Sequence, residues 1–430
     1  MLQIKKKQEN ELLLRIKRIK IAKYVIFALC VIGLLLSLIW HNELTRAINP
    51  SYYEKSQYEL YQDEKIVTDE MLKVHYIDVG CADCTFIELP DNKSVLIDTA
   101  GDILDKNKSV EAMMLYLNNN IFNDREKIID YLILTHADAD HISGTTSILE
   151  QFSVKNIIRP KVLAKNEKEL IKERTEYSFA LSYNVDYSDV YSEQIKGIYN
   201  YLGKDETSKM YFASSGMNFS TSDYDFEFLT PKLDTYESDN DYSSAVRLSY
   251  KSKNFLFMAD CTTVGENEIL DEYAYDMAKL SSTFLRVGHH GSKTSTSNAF
   301  LNAVNADYNI ISTRYGVYSN VPSQTVISNI ESNNENSKIL RTDMCGNVLV
   351  KVNSEGEYSV LTCQGSFYFV RHNVYMQWYY VAICIGVICF ILIFSIKLKS
   401  YEQLVQARRD KINKQKEKML EEARRLNNNV

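Results

Sequence analysis

Within six positions of this chain, at His136, Asp138, Asp140 and His141, stand four side chains able to bind a divalent cation. They follow the apolar run Tyr131-Leu132-Ile133-Leu134, which reads as a short buried strand. The four therefore fall on the loop at its end and on the first turn beyond. Residues two apart in extended chain point the same way, so His136 and Asp138 could share one cation. A helix from Ile142 onward would swing Asp140 and His141 toward a second position. Two cations roughly 3.5–4 Å apart clamp the attacking and leaving oxygens of a hydrolytic displacement. A polar loop with two surface histidines would need neither these residue types nor this spacing. The chemistry on offer is metal-assisted hydrolysis.

The elements that must position this cluster begin at Val74. Residues 74–80 alternate like a strand, residues 84–89 make a second, and 94–98 a third after the turn signal Pro90-Asp91-Asn92-Lys93. Residues 110–116 read as a short helix leading to the central strand. Residues 160–235 are the least regular: 165–174 form a charged helix candidate, and Tyr, Ser and Asn dominate afterwards. Order returns in the strands 225–229, 244–250 and 255–260, the last ending in Asp260. The stretch 284–293 carries His289 and His290 at a strand end, followed by Gly291 and Ser292. A further strand spans 309–313, and a closing hairpin begins at 340–346. Strands followed by helices fit two sheets covered by helices.

The run 135–144 resembles the His-x-His-x-Asp-His signature of the metallo-β-lactamase superfamily, in the variant where Asp replaces the second His. That variant is similar to the hydrolase domain of the ComEC competence family and to surface phosphorylcholine esterases. Asp78-Val79-Gly80 with Asp83, then Leu96-Ile97-Asp98, resembles the opening of the ComEC domain, although Gly80-Cys81-Ala82-Asp83 stands for its Gly-Gln-Gly-Asp turn. The resemblance implies that Asp83 and Asp98 orient metal-bound histidines. It implies that Asp260 bridges two metals, with Ala259 replacing the family's Gly. His289-His290-Gly291-Ser292 matches the family's His-His-Gly-Ser, with His290 implied as ligand and His289 facing the scissile phosphate. Many members carry one more histidine ligand before the bridging Asp; no histidine occurs between His141 and His289. The family's His-Pro is Val321-Pro322 here, so either Arg314 compensates for the missing histidine or the substrate differs. The resemblance runs from about residue 73 to 361.

Two uncharged apolar segments, 24–40 and 374–396, have the length of bilayer spans, and Tyr375, Trp378, Tyr379 and Tyr380 crowd one end of the second. A cleavable signal peptide would show a small-residue site after Trp40, and none follows. Residues 1–23 hold eight Lys/Arg against two Glu, and residues 397–430 hold ten against five Asp/Glu. With the whole chain at −7, residues 41–373 carry −18. Basic flanks stay cytoplasmic, which puts both termini inside and the acidic middle outside. Of eight cysteines, Cys30, Cys384 and Cys389 lie in the apolar segments. Cys345 and Cys363 bracket the closing hairpin and could pair, but no disulfide framework is expected.

The sequence thus predicts an α/β fold, the metallo-β-lactamase αββα sandwich, flanked by two transmembrane helices. The divisions are a basic leader (1–23), a span (24–40), a stalk (41–72), the hydrolase domain (73–365), a second span (374–396) and a basic helical tail (397–430). One or two divalent ions, Zn or Mn, are expected. Asp140, His141, Asp260 and His290 would hold the better site, and His136, Asp138 and Asp260 the other, with Asp140 and His289 acting in the chemistry. The predicted partners are the lipid bilayer and a phosphodiester, DNA being the first choice. DNA would need a local basic patch on an acidic domain, for which Arg247, Arg286, Lys293 and Arg314 are candidates. Two alternatives stand beside it: an envelope phosphodiester of teichoic-acid type, and a non-catalytic surface module that keeps the fold.

Overall fold

Alternation builds the sheets. In the strand Glu70–Tyr76, Leu72, Val74 and Tyr76 enter one buried cluster, while His75 turns the other way to Tyr116 and Glu88. The structure is a computed structural model and describes residues 58–61, 65–165, 167, 188–205, 207–314, 321–363 and 401–427, with scattered positions between 14 and 32 and residue 386. Its contacts define two units, Pro50–Asn373 and Met1–Asn49 with Val374–Val430.

In the first unit, chain order runs β1 (Glu59–Leu60), β2 (Glu70–Tyr76), β3 (Thr85–Glu88), β4 (Ser94–Ile97), α1 (Lys106–Tyr116), β5 (Ile128–Ile133), α2 (Ala139–Ile142), α3 (Thr145–Gln151) and β6 (Ser153–Arg159). Next come α4 (Asp189–Leu202), β7 (Lys209–Phe212), β8 (Tyr224–Phe228), β9 (Val246–Tyr250), β10 (Lys253–Phe257), α5 (Thr263–Glu272) and β11 (Phe284–Arg286). The unit closes with α6 (Asn298–Val304), β12 (Tyr308–Ile311), α7 (Gln324–Asn333), β13 (Lys338–Arg341), α8 (Thr342–Cys345), β14 (Val348–Asn353) and β15 (Tyr358–Thr362).

The strands form two sheets, ordered β1-β15-β14-β2-β3-β4-β5-β6-β7 and β13-β12-β11-β10-β9-β8. Their facing sides bury a shared core in which Val74 and Ile133 of the first sheet meet Phe226, Phe255 and Phe284 of the second. On the outer face of the first sheet, α1, α3 and α4 contribute Met113, Ile148 and Ile195 to a second cluster. The second sheet's outer face packs with α5, α6 and α7 through Ile269, Phe300 and Val326. Each fully buried side chain of this size stabilises by about 1.5–3 kcal/mol. The layers are therefore helix, sheet, sheet, helix, the αββα arrangement.

Several boundaries differ from those read in the sequence. The first sheet reaches into the segment read as a stalk: β1 pairs antiparallel with β15, and β2 already begins at Glu70. Two residues carry no periodicity, so nothing in the sequence marked β1. The Tyr58 hydroxyl also meets that of Tyr116, which bonds His75 Nδ1 at 2.8 Å. Helix α4 was hidden in the Tyr- and Ser-rich stretch, although Tyr191, Ile195, Ile198 and Leu202 lie on its buried face at helical spacing. The helix candidate 165–174 and the segments 24–40 and 374–396 lie outside the described residues apart from scattered positions. Among the described residues no helix is long and apolar enough to cross a membrane. Cys345 and Cys363 are free thiols, as are Cys81, Cys84 and Cys261. In the second unit, α9 (Tyr401–Asn427) is a single helix with Leu404, Met419 and Leu420 exposed.

One close approach locks the central motif in place. Gly144 caps α3 so near the neighbouring chain that a Cβ there would run into the Thr99 carbonyl oxygen and Met113 Cε. Gly144→Ala should lower stability by about 1–3 kcal/mol through overpacking. Thermal unfolding of the full chain measures it, and an unchanged midpoint would show that this approach is not tight.

Candidate metal centre

Parallel strands bring their carboxyl ends to one edge of each sheet. Strands β4 and β5 pair in parallel, as do β10, β11 and β12. The segments leaving those ends carry Asp98, the run 135–141, Asp260, His289 and His290. The helix expected from Ile142 begins at Ala139 instead, with Asp138 as its extended N-cap residue. Asp140 and His141 thus sit in its first turn, which sends them to a different position from His136 and Asp138.

Asp260 is the hub. Its Oδ1 lies 3.3 Å from His141 Nε2. Its Oδ2 lies 3.6 Å from His290 Nε2, 3.7 Å from His289 Nε2 and 4.0 Å from His136 Nε2. Asp140 approaches His290 Nε2 at 3.2 Å. The ligand atoms of Asp140, His141, Asp260 and His290 all fall within 4.8 Å of one another. His136 and Asp138 make a looser pair at 3.6 Å beside them, with 42% of the Asp138 side chain exposed. Asp260 enters the site because Ala259 takes a left-handed backbone, φ 48°. That conformation costs an L-residue with a Cβ roughly 1–2 kcal/mol, which accounts for glycine as the family's residue here.

The imidazoles are aimed by groups behind them. Asp98, 1% exposed, accepts from His141 Nδ1 at 2.7 Å, from the Thr135 N–H at 2.8 Å and from the Thr135 hydroxyl at 2.8 Å. His290 Nδ1 donates to the Ser312 carbonyl at 2.8 Å. Both arrangements keep the Nδ1 proton in the outer hydrogen bond, so that Nε2 faces inward and offers a lone pair once its own proton leaves. His289 is more open, with 26% of its side chain exposed, and its Nδ1 meets Thr294 Oγ1 at 2.8 Å. Asp83 lies 3.7 Å from His141 Nδ1 but is chiefly paired with Arg286.

The residues fit a divalent cation. His136 Nε2, His141 Nε2, His290 Nε2 and Asp260 Oδ1 are buried with no hydrogen-bond partner. An unmade bond of this kind costs about 1–3 kcal/mol, and four such atoms converging on one space call for a shared positive centre. The electrostatics agree. Burial opposes charge on His141, but Asp260 and Asp98 overcome it and hold the imidazolium well above the ordinary range. Burial likewise opposes charge on Asp260, yet His290 and His141 keep its carboxyl well below the usual range. A cation would replace those protons.

A cleft of about 390 Å³ opens over this edge, lined by Asp138, Asp140, Asp260, His289 and His290 together with Cys81, Ile103, Ala139 and Val321. The suggested basic patch loses three of its four members to ion pairs within the domain, and Lys293 alone stays exposed. Arg286 is 2% exposed and bound within the domain to Asp83, Arg247 pairs with Glu227, and Arg314 pairs with Asp102 at 3.0 Å. A surface arginine and a buried one look alike in sequence. Sequence reading also missed Thr135, Thr294, Ser312 and Ile103, whose roles depend on contacts across the fold; none sits in a local pattern that would have singled it out.

The profile of the Metallo-beta-lactamase superfamily matches residues 78–313, more than half of the chain, and the chain belongs to that superfamily. Within it the chain is of the ComEC type. ComE operon protein 3 of Bacillus subtilis (strain 168) is 26% identical over 305 residues, 67% of this chain and 34% of that protein. Competence protein ComA of Neisseria gonorrhoeae is 35% identical over 122 residues, 28% of this chain and 17% of the relative. Recombination protein 2 of Haemophilus influenzae is 26% identical over 241 residues, 56% and 24% respectively. The chain spans at most about a third of the length of these relatives.

Metal affinity should follow from the groups that aim the imidazoles. Cations compete with the protons on His141 and His290, both of which hold them above the ordinary imidazole range. Affinity should therefore be weakest at acid pH and strengthen as pH rises and those protons leave. Asp98→Asn should weaken it a further 10–100-fold. Calorimetric titration with Mn²⁺ and Zn²⁺ between pH 6 and 8 tests both; equal affinity at every pH, or in the variant, would remove these residues from the centre.

Proposed function

We propose that this chain is a membrane-anchored, metal-dependent phosphodiesterase whose αββα domain faces the outside of the cell. The observation that carries the catalytic part is the convergence of three unpartnered imidazole nitrogens on the carboxylate of Asp260. Asp140, His141, Asp260 and His290 would hold the tighter cation, and His136, Asp138 and Asp260 the looser one. Divalent cations at such a centre lower the pKa of water and draw charge from phosphate oxygens.

The chain's own residues do the rest. Asp98 and the Ser312 carbonyl hold His141 and His290 in the tautomer that faces inward. Thr294 turns the His289 ring so that Nε2 faces the cleft. Asn240 Nδ2 lies 3.5 Å from the same Nε2, so Asn240 and Thr294 together fix the orientation of the ring toward the phosphate. Asp140, lining the cleft and 3.2 Å from His290 Nε2, ties the ligand cluster to the first turn of α2.

One of the relatives is named for competence and one for recombination, which supports DNA as the first substrate to test. An envelope phosphodiester is the second reading. It is favoured by one specific observation: among the described residues, no Lys or Arg lines the cleft, and the middle of the chain carries −18. Full-length protein with Mn²⁺ should cut linear DNA or a small diester, and Asp260→Ala should reduce the rate at least a thousandfold with loss of bound metal. Wild-type activity in that variant would rule the centre out.

The anchoring rests on the two uncharged segments, 24–40 and 374–396, and on their basic flanks. Protease added to intact cells should degrade the middle of the chain and spare both termini. Full protection of the middle would reverse the topology.

A further inference from the structure

Two apolar side chains line the cleft without serving the metal centre. Ile103 lines it and is 64% exposed; Leu104 beside it is 61% exposed, and Val321 faces the cleft as well. A single exposed isoleucine is ordinary on a protein surface. This one is held in place by a fully buried carboxylate. Asp102 accepts from the Cys81 N–H at 2.7 Å, the Leu104 N–H at 2.8 Å, the Asp105 N–H at 3.1 Å and Arg314 at 3.0 Å. The turn leading to it runs through left-handed backbone at Ala100 and Gly101. A Cβ at Gly101 would collide with the Ala139 carbonyl and Ser143, so this turn is pressed against the start of α2. Ile103 is thus presented by a pinned loop, with its side chain at the mouth of the catalytic cleft.

The same pinning occupies a cation. Arg314 gives a guanidinium N–H to Asp102 and is not among the residues lining the cleft. A nucleic-acid backbone tracked over several phosphates would need cationic groups along its path. What Ile103 and Val321 offer instead is dispersion and desolvation contact for one uncharged group.

We propose that Ile103 and Val321 form a subsite for an uncharged, flat or branched apolar substituent of the phosphodiester, seated beside the scissile phosphate. A terminal nucleoside or an aromatic ester meets that description; the interior of a duplex does not. The proposal rests on the phosphodiesterase reading for its substrate, but its binding test does not depend on turnover.

The experiment uses the full-length chain in phosphatidylcholine nanodiscs, loaded with Mn²⁺. Calorimetry compares phenylphosphonate with methylphosphonate, two probes that share the anionic head and differ only in the apolar group. Wild type should bind the phenyl compound at least fivefold tighter. Ile103→Ser and Val321→Ser should each bring that ratio to twofold or less, with bound metal and methylphosphonate affinity unchanged. Those two constants also report that the variants are folded. With bis(p-nitrophenyl) phosphate as substrate, KM should rise three- to tenfold in each variant while kcat stays within twofold. A wild-type ratio near one, or a ratio unchanged in both variants, overturns the subsite. If the phenyl preference is present and lost in the variants but no diester is cut, the subsite stands and the phosphodiesterase reading falls. If diesters are cut without any phenyl preference, that reading stands and the subsite falls.

Discussion

A carboxylate buried among four imidazoles is the constraint on which this domain turns. Asp260 is 3% exposed, and moving a charge of that kind out of water costs several kcal/mol unless partners surround it. His136, His141, His289 and His290 all come within 4.0 Å of its oxygens. They come from both sheets, so the sandwich must close with the carboxyl ends of its parallel strands at one shared edge. A domain that failed to close there would leave Asp260 unpaired. The fold and the centre therefore stand or fall together.

Behind the imidazoles lies a second layer of charge that never reaches solvent. Asp98 is spent on His141 and Thr135, and Arg286 ties Asp83 of the first sheet to the end of β11 in the second. The Arg286 guanidinium also donates to the Ala259 and Val287 carbonyls. It steadies the left-handed turn that delivers Asp260. Positive charge inside this domain serves geometry. Its cleft is lined by acidic, imidazole and apolar groups, with no Lys or Arg among the described residues that line it.

The sequence by itself determined the chemistry and most of the framework. His136, Asp138, Asp140 and His141 are close in the chain, and six residues cannot separate far in space, so local spacing was enough to announce a cation site. Strands with period-two alternation, such as β2 and β9, were readable for the same local reason. Charge asymmetry and two uncharged segments are what the proposed membrane topology rests on, and those segments lie outside the described residues apart from scattered positions.

Tertiary structure decided everything that depends on distant partners. Asp98 lies 43 positions from His141, and Ser312 lies 22 from His290; no periodicity links such pairs. Arg286 looked like a surface cation until β11 was placed in the middle of its sheet. Ile103 looked like any loop isoleucine until Asp102 was found holding its turn against the cleft. Strand β1 exists only because β15 offers it a free edge. Local patterns record what a residue can do. Which partner it meets is set by the packing of two sheets, and that information is spread over the whole chain.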